Sequence, residues 1–226
     1  MKKKKIKEIK LVEISKIRYS PEFEFELPAK IDADKLIERG KTLKSWNIRG
    51  DGSLQNGIEL SPENSNHLYY NPDSLMEIKE VLALIRVYKA KALPSCGLHI
   101  HVNVKNLTDK QILTIITEWV HKQKFVAKRF KVSKERLEQT CKLLPKNEIH
   151  KLTEKAIHEF RTKNNYSFRS YSYLDEKYYS LNASHLPKNN YQTLEFRLFS
   201  STVNFREIKE IIYFVLNFIK ESLERE

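Results

Sequence analysis

The sequence predicts one α+β domain, a mostly antiparallel β-sheet with helices packed on one face and a helical insert. Three observations lead there. Several short segments alternate apolar and polar residues with a period of two, the signature of half-buried strands. Between and after them lie capped segments whose apolar residues recur every three to four positions, as on amphipathic helices. The 226 residues contain neither an internal repeat nor a linker rich in Gly, Pro and Ser, and a chain of this length can bury a sizeable core.

Along the chain, residues 1–10 hold six lysines, so residues 1–18 are expected to form a basic N-terminal arm. Residues 19–226 then make up the folded domain, with the helical insert at about 105–165. From Tyr19 to Leu27, Phe23, Phe25 and Leu27 face one side of a strand while Glu22, Glu24 and Glu26 face the other. Two short strands, Trp46 to Arg49 and Gly57 to Leu60, flank the turn Gly50-Asp51-Gly52-Ser53. After Pro72, Ser74 with Glu77 reads as a capping box for a helix on Ile78, Val81, Leu82 and Ile85.

Cys96 to Val104 alternates again, and Thr108 with Gln111 caps a helix through Ile112, Ile115, Ile116 and Trp119. Residues 121–163 are charged and read as two or three helical pieces, with starts at Ser133 and Asn147 and a break at Pro145. Tyr166 to Ser184 reads as strand or extended structure, and Gln192 to Ser200 as a strand. Asn204 with Glu207 opens a terminal helix on Ile208, Ile211, Ile212, Val215 and Ile219.

Composition narrows the function. Lys and Arg number 41 against 29 Asp and Glu, giving net +12, yet 40% hydrophobic and 11% aromatic content exceeds that of a disordered polycation. Two cysteines, Cys96 and Cys141, without Cys-x-x-Cys spacing exclude a disulfide scaffold, a thiolate zinc knuckle and an iron–sulfur cluster. A reducing cytoplasm is the expected compartment. No apolar run of membrane-spanning length occurs, and Met1-Lys-Lys-Lys-Lys-Ile-Lys lacks the apolar core of a signal peptide, so neither membrane insertion nor export is expected. Only five glycines are present, and the Gly-x-Gly-x-x-Gly dinucleotide fingerprint is missing.

Four polar clusters carry the chemistry. Glu24 and Glu26 stand on one strand face about 7 Å apart at ordinary strand rise, where they repel unless water or cations intervene; an exposed, charged edge is the plain alternative. Asp51-Gly52-Ser53 leads to Glu59 in Gly57-Ile58-Glu59-Leu60. His99, His101 and Asn103 share a face, so two imidazoles can address one ion, or form a hydrogen-bonded surface pair. Glu195 and Arg197 share a face against Leu194, Phe196 and Leu198, as an ion pair or as a phosphoryl-binding guanidinium beside a carboxylate. If these strands belong to one sheet, hard divalent cations would hold the carboxylates apart. Oxygen-rich sites that also engage phosphate favour Mg²⁺ or Mn²⁺.

The order and spelling of these segments, with Lys177-Tyr-Tyr-Ser-Leu-Asn182 and with Thr202 and Asn204 after the Glu-x-Arg strand, resemble a phage and bacterial amidoligase. That group belongs with glutamate-cysteine ligase and glutamine synthetase among carboxylate–amine ligases. The resemblance spans roughly residues 20–219, with 105–165 carrying little of it.

It implies a glutamine synthetase-like catalytic sheet and an ATP-dependent reaction through an acyl phosphate, with Mg²⁺ or Mn²⁺ as cofactor. Glu24, Glu26, Glu59, His99 and Glu195 would be metal ligands, His101 would lie near the ATP phosphates, and Arg197 would contact the transferred phosphoryl group. Asp51 would handle the incoming amine, while Lys177 and Asn182 would bind substrate. The sequence departs from the family pattern at Glu22 and at Ser201-Thr202, where Gly and Gly-Thr are usual.

The expected substrates are a carboxylate and an amine, with a peptide, a cell-wall fragment or another protein as candidates for the basic, aromatic stretch 121–180. Three rivals stand beside the ligase, one of them a catalytically dead scaffold protein. A nucleic-acid binder is motivated by Lys122, Lys124, Lys128, Arg129, Lys131, Lys134 and Arg136 with Phe125 and Phe130 among them. A nucleotide-independent metal hydrolase would use His99 and His101.

Overall fold

The computed structural model describes residues 13–40, 45–63, 68–162, 169–187 and 192–225. Lysines of the arm that precede residue 13 lie outside them; within 13–18 the chain makes a 3-10 turn at Ile14–Lys16 and enters the sheet at Arg18. The strands are β1 (Arg18–Glu26), β2 (Trp46–Asp51), β3 (Gly57–Pro62), β4 (Leu68–Tyr69), β5 (Gly97–Asn103), β6 (Leu181–Asn182) and β7 (Thr193–Ser200). They form one antiparallel sheet in the order β2-β3-β1-β5-β7-β6, with β4 paired to the start of β1.

The helices are α1 (Ala33–Gly40), α2 (Pro72–Val87), α3 (Asp109–Arg129), α4 (Lys134–Gln139), α5 (Lys146–Ile149), α6 (Glu154–Thr162) and α7 (Phe205–Glu224). Alternation decides which face of the sheet they cover. Phe23, Phe25, Ile48, Ile58, Leu60, Leu98, Ile100, Leu194 and Phe196 point to one side and join the apolar stripes of α2, α3 and α7 in a single core. Trp119 of α3 meets Phe196 and Phe218 edge-on at 4.8 and 5.4 Å between ring centres, the preferred geometry for rings with opposed edge and face charge. The other side of the sheet keeps the charged members of each alternation.

Several sequence expectations are corrected. Asn71, rather than Ser74, caps α2: its side chain accepts from the Ser74 N–H, Pro72 occupies the first turn, and Ser74 is buried. The piece expected to start at Asn147 begins at Lys146, directly behind Pro145. Of the stretch Tyr166 to Ser184, residues 166–168 lie outside the described ones, and 169–184 are mostly not extended. Its described part is a 3-10 segment, Arg169–Leu174, followed by the two-residue β6. Ring packing of Tyr173 on Tyr171 and Tyr179 replaces the strand that the aromatic content suggested. The helix α1 and the short β4 were not expected from the sequence, although α1 places Leu36 and Ile37 on one apolar side.

Scarce glycine shows at the helix ends. Lys89 and Lys131 have φ of 54° and 50°. The bonds from Ala90 N to Ile85 O and from Val132 N to Ala127 O close the turns after α2 and α3, a helix-ending pattern usually built on Gly. A lysine there bears the left-handed cost that glycine avoids. Lys131→Gly is therefore expected to raise unfolding free energy by about 0.5–1 kcal/mol, as read by the urea midpoint; an unchanged or lower midpoint would contradict this account.

Candidate functional site

Strand register assembles the polar face. Glu24 lies opposite Glu59 across β1 and β3, and Glu59 opposite Arg49 across β3 and β2. Glu22 lies opposite His99, His101 opposite Glu195, and Glu195 opposite Asn182. Residues far apart in sequence thus meet on one recessed floor, because in each strand they are the residues that do not face the core.

At its centre stands His99, 1% exposed. Its Nδ1 is 2.9 Å from Glu22 Oε1 and 3.4 Å from Glu195 Oε1, and its Nε2 is 3.7 Å from Glu24 Oε1. His101 Nε2 lies 3.6 Å from Glu22 and 3.7 Å from Glu195, too long for hydrogen bonds, and is buried without a hydrogen-bond partner. The ring of His101 stacks on that of His185 at 5.2 Å. Glu195, 4% exposed, also contacts Arg197 Nη1, while Arg197 Nε is buried and unpaired. Gly97 N–H donates to Glu24 Oε2 at 2.5 Å. The glycine is obligatory here: a Cβ would fall 2.3 Å from His99 Nε2 and 2.6 Å from Arg136 Nη2.

A β-bulge shapes the site between β5 and β7. Leu98 pairs with Phe199 but Ile100 with Phe196, so Arg197 and Leu198 together oppose His99. The extra residue keeps Arg197 on the polar face and turns Phe199 into the core against Phe130 and Trp119. Strict alternation would have put Phe199 on the polar side. The adjacent pair Leu198-Phe199 was the available signal.

Electrostatics follows from crowding. Burial alone would push Glu22 up, but the His101 imidazole nearby and His99, which hydrogen-bonds it, outweigh that and hold the carboxyl far below its usual range. Burial likewise opposes ionisation of Glu195, and His101, Arg197 and His99 overcome it. His101 would be driven down by burial, yet the carboxylates of Glu195 and Glu22 raise it. Glu59 is raised by burial and by the charge of Glu22, with Arg49 offsetting part of this. Both cysteines are buried with raised thiols, Cys141 to about 11, so neither is a ready thiolate nucleophile.

The donor set fits divalent cations. Among the described residues two groups bring ligand atoms within 4.8 Å of one another: Glu22, His99 and Glu195, and His101, His185 and Glu195. They share Glu195, and the unpaired Nε2 of His101 faces two carboxylates as a ligand nitrogen would.

The expected residues are distributed unevenly around this centre. Glu24, His99, His101, Glu195 and Arg197 come together. Glu59 is on the same face but paired with Arg49. Glu26 sits at the end of β1, where it lines a separate cavity of about 420 Å³ with Asp32, Asp34 and Asn56. Asp51 closes β2; its Oδ1 accepts from Ser53 N, and its Oδ2 is buried and unpaired. Asn182 is buried beside Glu195, its side chain accepting from Ser184 N. Lys177 is exposed in a turn, its Nζ over the Tyr178 ring.

Sequence reasoning missed Glu22, His185, Arg49 and Arg136. Glu22 was visible as a further outward carboxylate of the same strand, whereas His185 lies in a segment with no motif and Arg136 was read as part of the basic run. The basic run 122–136 is broken up. Lys122 pairs with Glu221, Arg129 with Glu210 and Lys134 with Glu138, and Arg136 is buried. Lys124, Lys128 and Lys131 of the same run are exposed. Among the described residues no helix is long and apolar enough to cross a membrane.

The His–Glu cluster on the polar side of this antiparallel sheet is a candidate metal centre. A family model described as "Putative amidoligase enzyme" matches residues 29–219, and the chain belongs to that family. Membership implies an amide-bond-forming ligase. The matched residues begin just after β1, so Glu22, Glu24 and Glu26 lie outside them. No curated protein matches the chain.

These charges predict how stability of the metal-free chain varies with pH. Glu22 and Glu195 are lowered, so their contribution is present above the unfolded carboxylate value, about 4.3, and is lost as pH falls below it. His101 is raised, so its contribution is full below about 6.5 and is lost as pH climbs through its higher folded value. Calorimetric melting in EDTA should therefore show the melting temperature dropping toward pH ~3, with a shallower acid slope for Glu22→Gln. Equal acid slopes would refute the assignment.

Proposed function

We propose that the chain is an ATP-dependent carboxylate–amine ligase that joins its substrates through an acyl phosphate. The observation that carries this reading is the pair of His–Glu groups sharing Glu195, beside a guanidinium with an unsatisfied donor, in a member of the amidoligase family.

Glu22, His99 and Glu195, with Glu24 against His99, are the residues that would hold one divalent cation. His101 and His185, with Glu195 in common, would hold a second. Bound there, Mg²⁺ or Mn²⁺ would neutralise ATP phosphate charge and draw the γ-phosphoryl group into line with the attacking carboxylate.

Arg197 is fixed by Glu195 through Nη1, which leaves its buried Nε–H free to donate to a phosphoryl oxygen as charge spreads in the transition state. Asp51, expected to handle the incoming amine, stands opposite Gly57 in the cross-strand row of Glu26, at the end of this face rather than at its centre. The side-chain oxygen of Asn182 is engaged by the Ser184 N–H, so its contribution is to keep β6 beside Glu195. The carboxylate and amine substrates, whether peptide, cell-wall or protein derived, would enter over this floor.

Isothermal titration with ATP and Mg²⁺ and a phosphate-release assay test the reading. The wild-type chain should bind MgATP, and His99→Ala or Arg197→Ala should lower turnover by about a hundredfold or more with the circular dichroism spectrum retained. In cell extract supplied with ATP, mass spectrometry should find a product one water lighter than the sum of two metabolites. A wild-type chain that ignores MgATP, or one whose turnover survives both substitutions, would end the proposal.

A further inference from the structure

Arg136 is the least expected residue near this face. It sits in the first turn of α4, where Ser133 Oγ accepts from its backbone N–H, and it is 2% exposed. Its Nη1 donates to the Ser95 carbonyl at 3.2 Å and to Thr140 Oγ1 at 3.5 Å, and its Nη2 donates to the Arg197 carbonyl at 3.0 Å. Every acceptor is neutral, and Nε is buried with none. Burying a guanidinium on such terms is costly, so its position calls for a reason beyond filling space.

Two features supply one. The guanidinium abuts the candidate ligands: the position a Cβ would take at Gly97 lies 2.6 Å from Arg136 Nη2, 2.3 Å from His99 Nε2 and 3.0 Å from Glu24 Oε2. Its hydrogen bonds also bracket the bulge. Ser95 leads into β5, and Arg197 is one of the two bulged residues of β7. A bulge leaves backbone groups outside the regular ladder. Arg197 N–H is taken by the Ser180 carbonyl and Arg197 C=O by Arg136. Without the second bond a buried carbonyl loses its donor. The bulge is then free to move along the strand, and a shift of one residue would carry Arg197 from the polar face toward the core.

We propose that Arg136 is a positioning residue for the site: it holds the bulge that aims Arg197 at Glu195, and so makes the helical insert a working part of the polar face. This rests on the ligase reading only for its effect on nucleotide; the positioning itself is independent of it. Arg136 acts through Arg197 and the strand ends, not on substrate.

The test pairs an NMR readout with nucleotide titration. In proton–nitrogen spectra the buried Arg197 Nε–H should give a slowly exchanging signal, assigned by its loss in Arg197→Met. Arg136→Met should shift or broaden that signal, and Arg136→Lys, which keeps one donor and the charge, should disturb it less. In MgATP titration each Met variant should weaken binding by about tenfold, while the double variant should be no weaker than Arg197→Met alone, because the two act as a unit. If Arg136→Met fails to fold, Arg136→Lys carries the comparison, with a shifted Arg197 signal expected. An undisturbed Arg197 signal, or losses that multiply in the double variant, would overturn the role. A wild-type chain that binds no MgATP would overturn the ligase reading, while the Arg197 signal still decides the role of Arg136.

Discussion

A carboxylate as deeply buried as Glu195 stays ionised only if cations or donors surround it, and that requirement organises the polar face. His99, His101 and Arg197 meet it from β5 and β7. The same imidazoles serve Glu22 from the other side, which ties β1 into the arrangement. Since β1, β5 and β7 are the middle of the sheet, charge balance at one residue constrains the pairing of three strands. The apolar side supports this: Phe23, Leu98, Ile100 and Phe196 lock the register that places the polar residues opposite one another.

Like charges placed directly across strands destabilise a sheet, and Glu24 faces Glu59. The chain relieves this locally. Arg49 takes Glu59, and the Gly97 N–H takes Glu24. Two arginines tie the insert to the strands. Arg136 reaches the β5 and β7 strand ends, and Arg161 of α6 grips the Leu107 and Lys105 carbonyls, Asp109 and Gln192. Helices whose sequence resembled little else are thus hydrogen-bonded to the segments flanking the site.

Much of the sheet was legible because successive side chains of a strand point to opposite faces, which puts Phe23 and Leu98 on the apolar side and Glu22 and His99 on the polar one. Helix starts with a clear cap, such as Thr108 with Gln111, were equally plain. Where two signals competed, the local one misled: Ser74 with Glu77 imitates a capping box, but Asn71 before Pro72 takes the position. Aromatic content suggested a strand where tyrosine rings pack on one another instead.

The sequence by itself determined which residue types face away from the core, and with them the chemistry available: carboxylates on β1, imidazoles on β5, and a carboxylate beside a guanidinium on β7. It could not determine which carboxylates meet which imidazoles, because that depends on strand order, register and a one-residue bulge, all set by long-range packing. Tertiary structure therefore decided that Glu22 lies against His99, that Glu26 sits apart at the strand end, and that His185 and Arg136 come to lie beside this cluster. Contacts between segments forty or more residues apart leave no periodic trace in either segment alone.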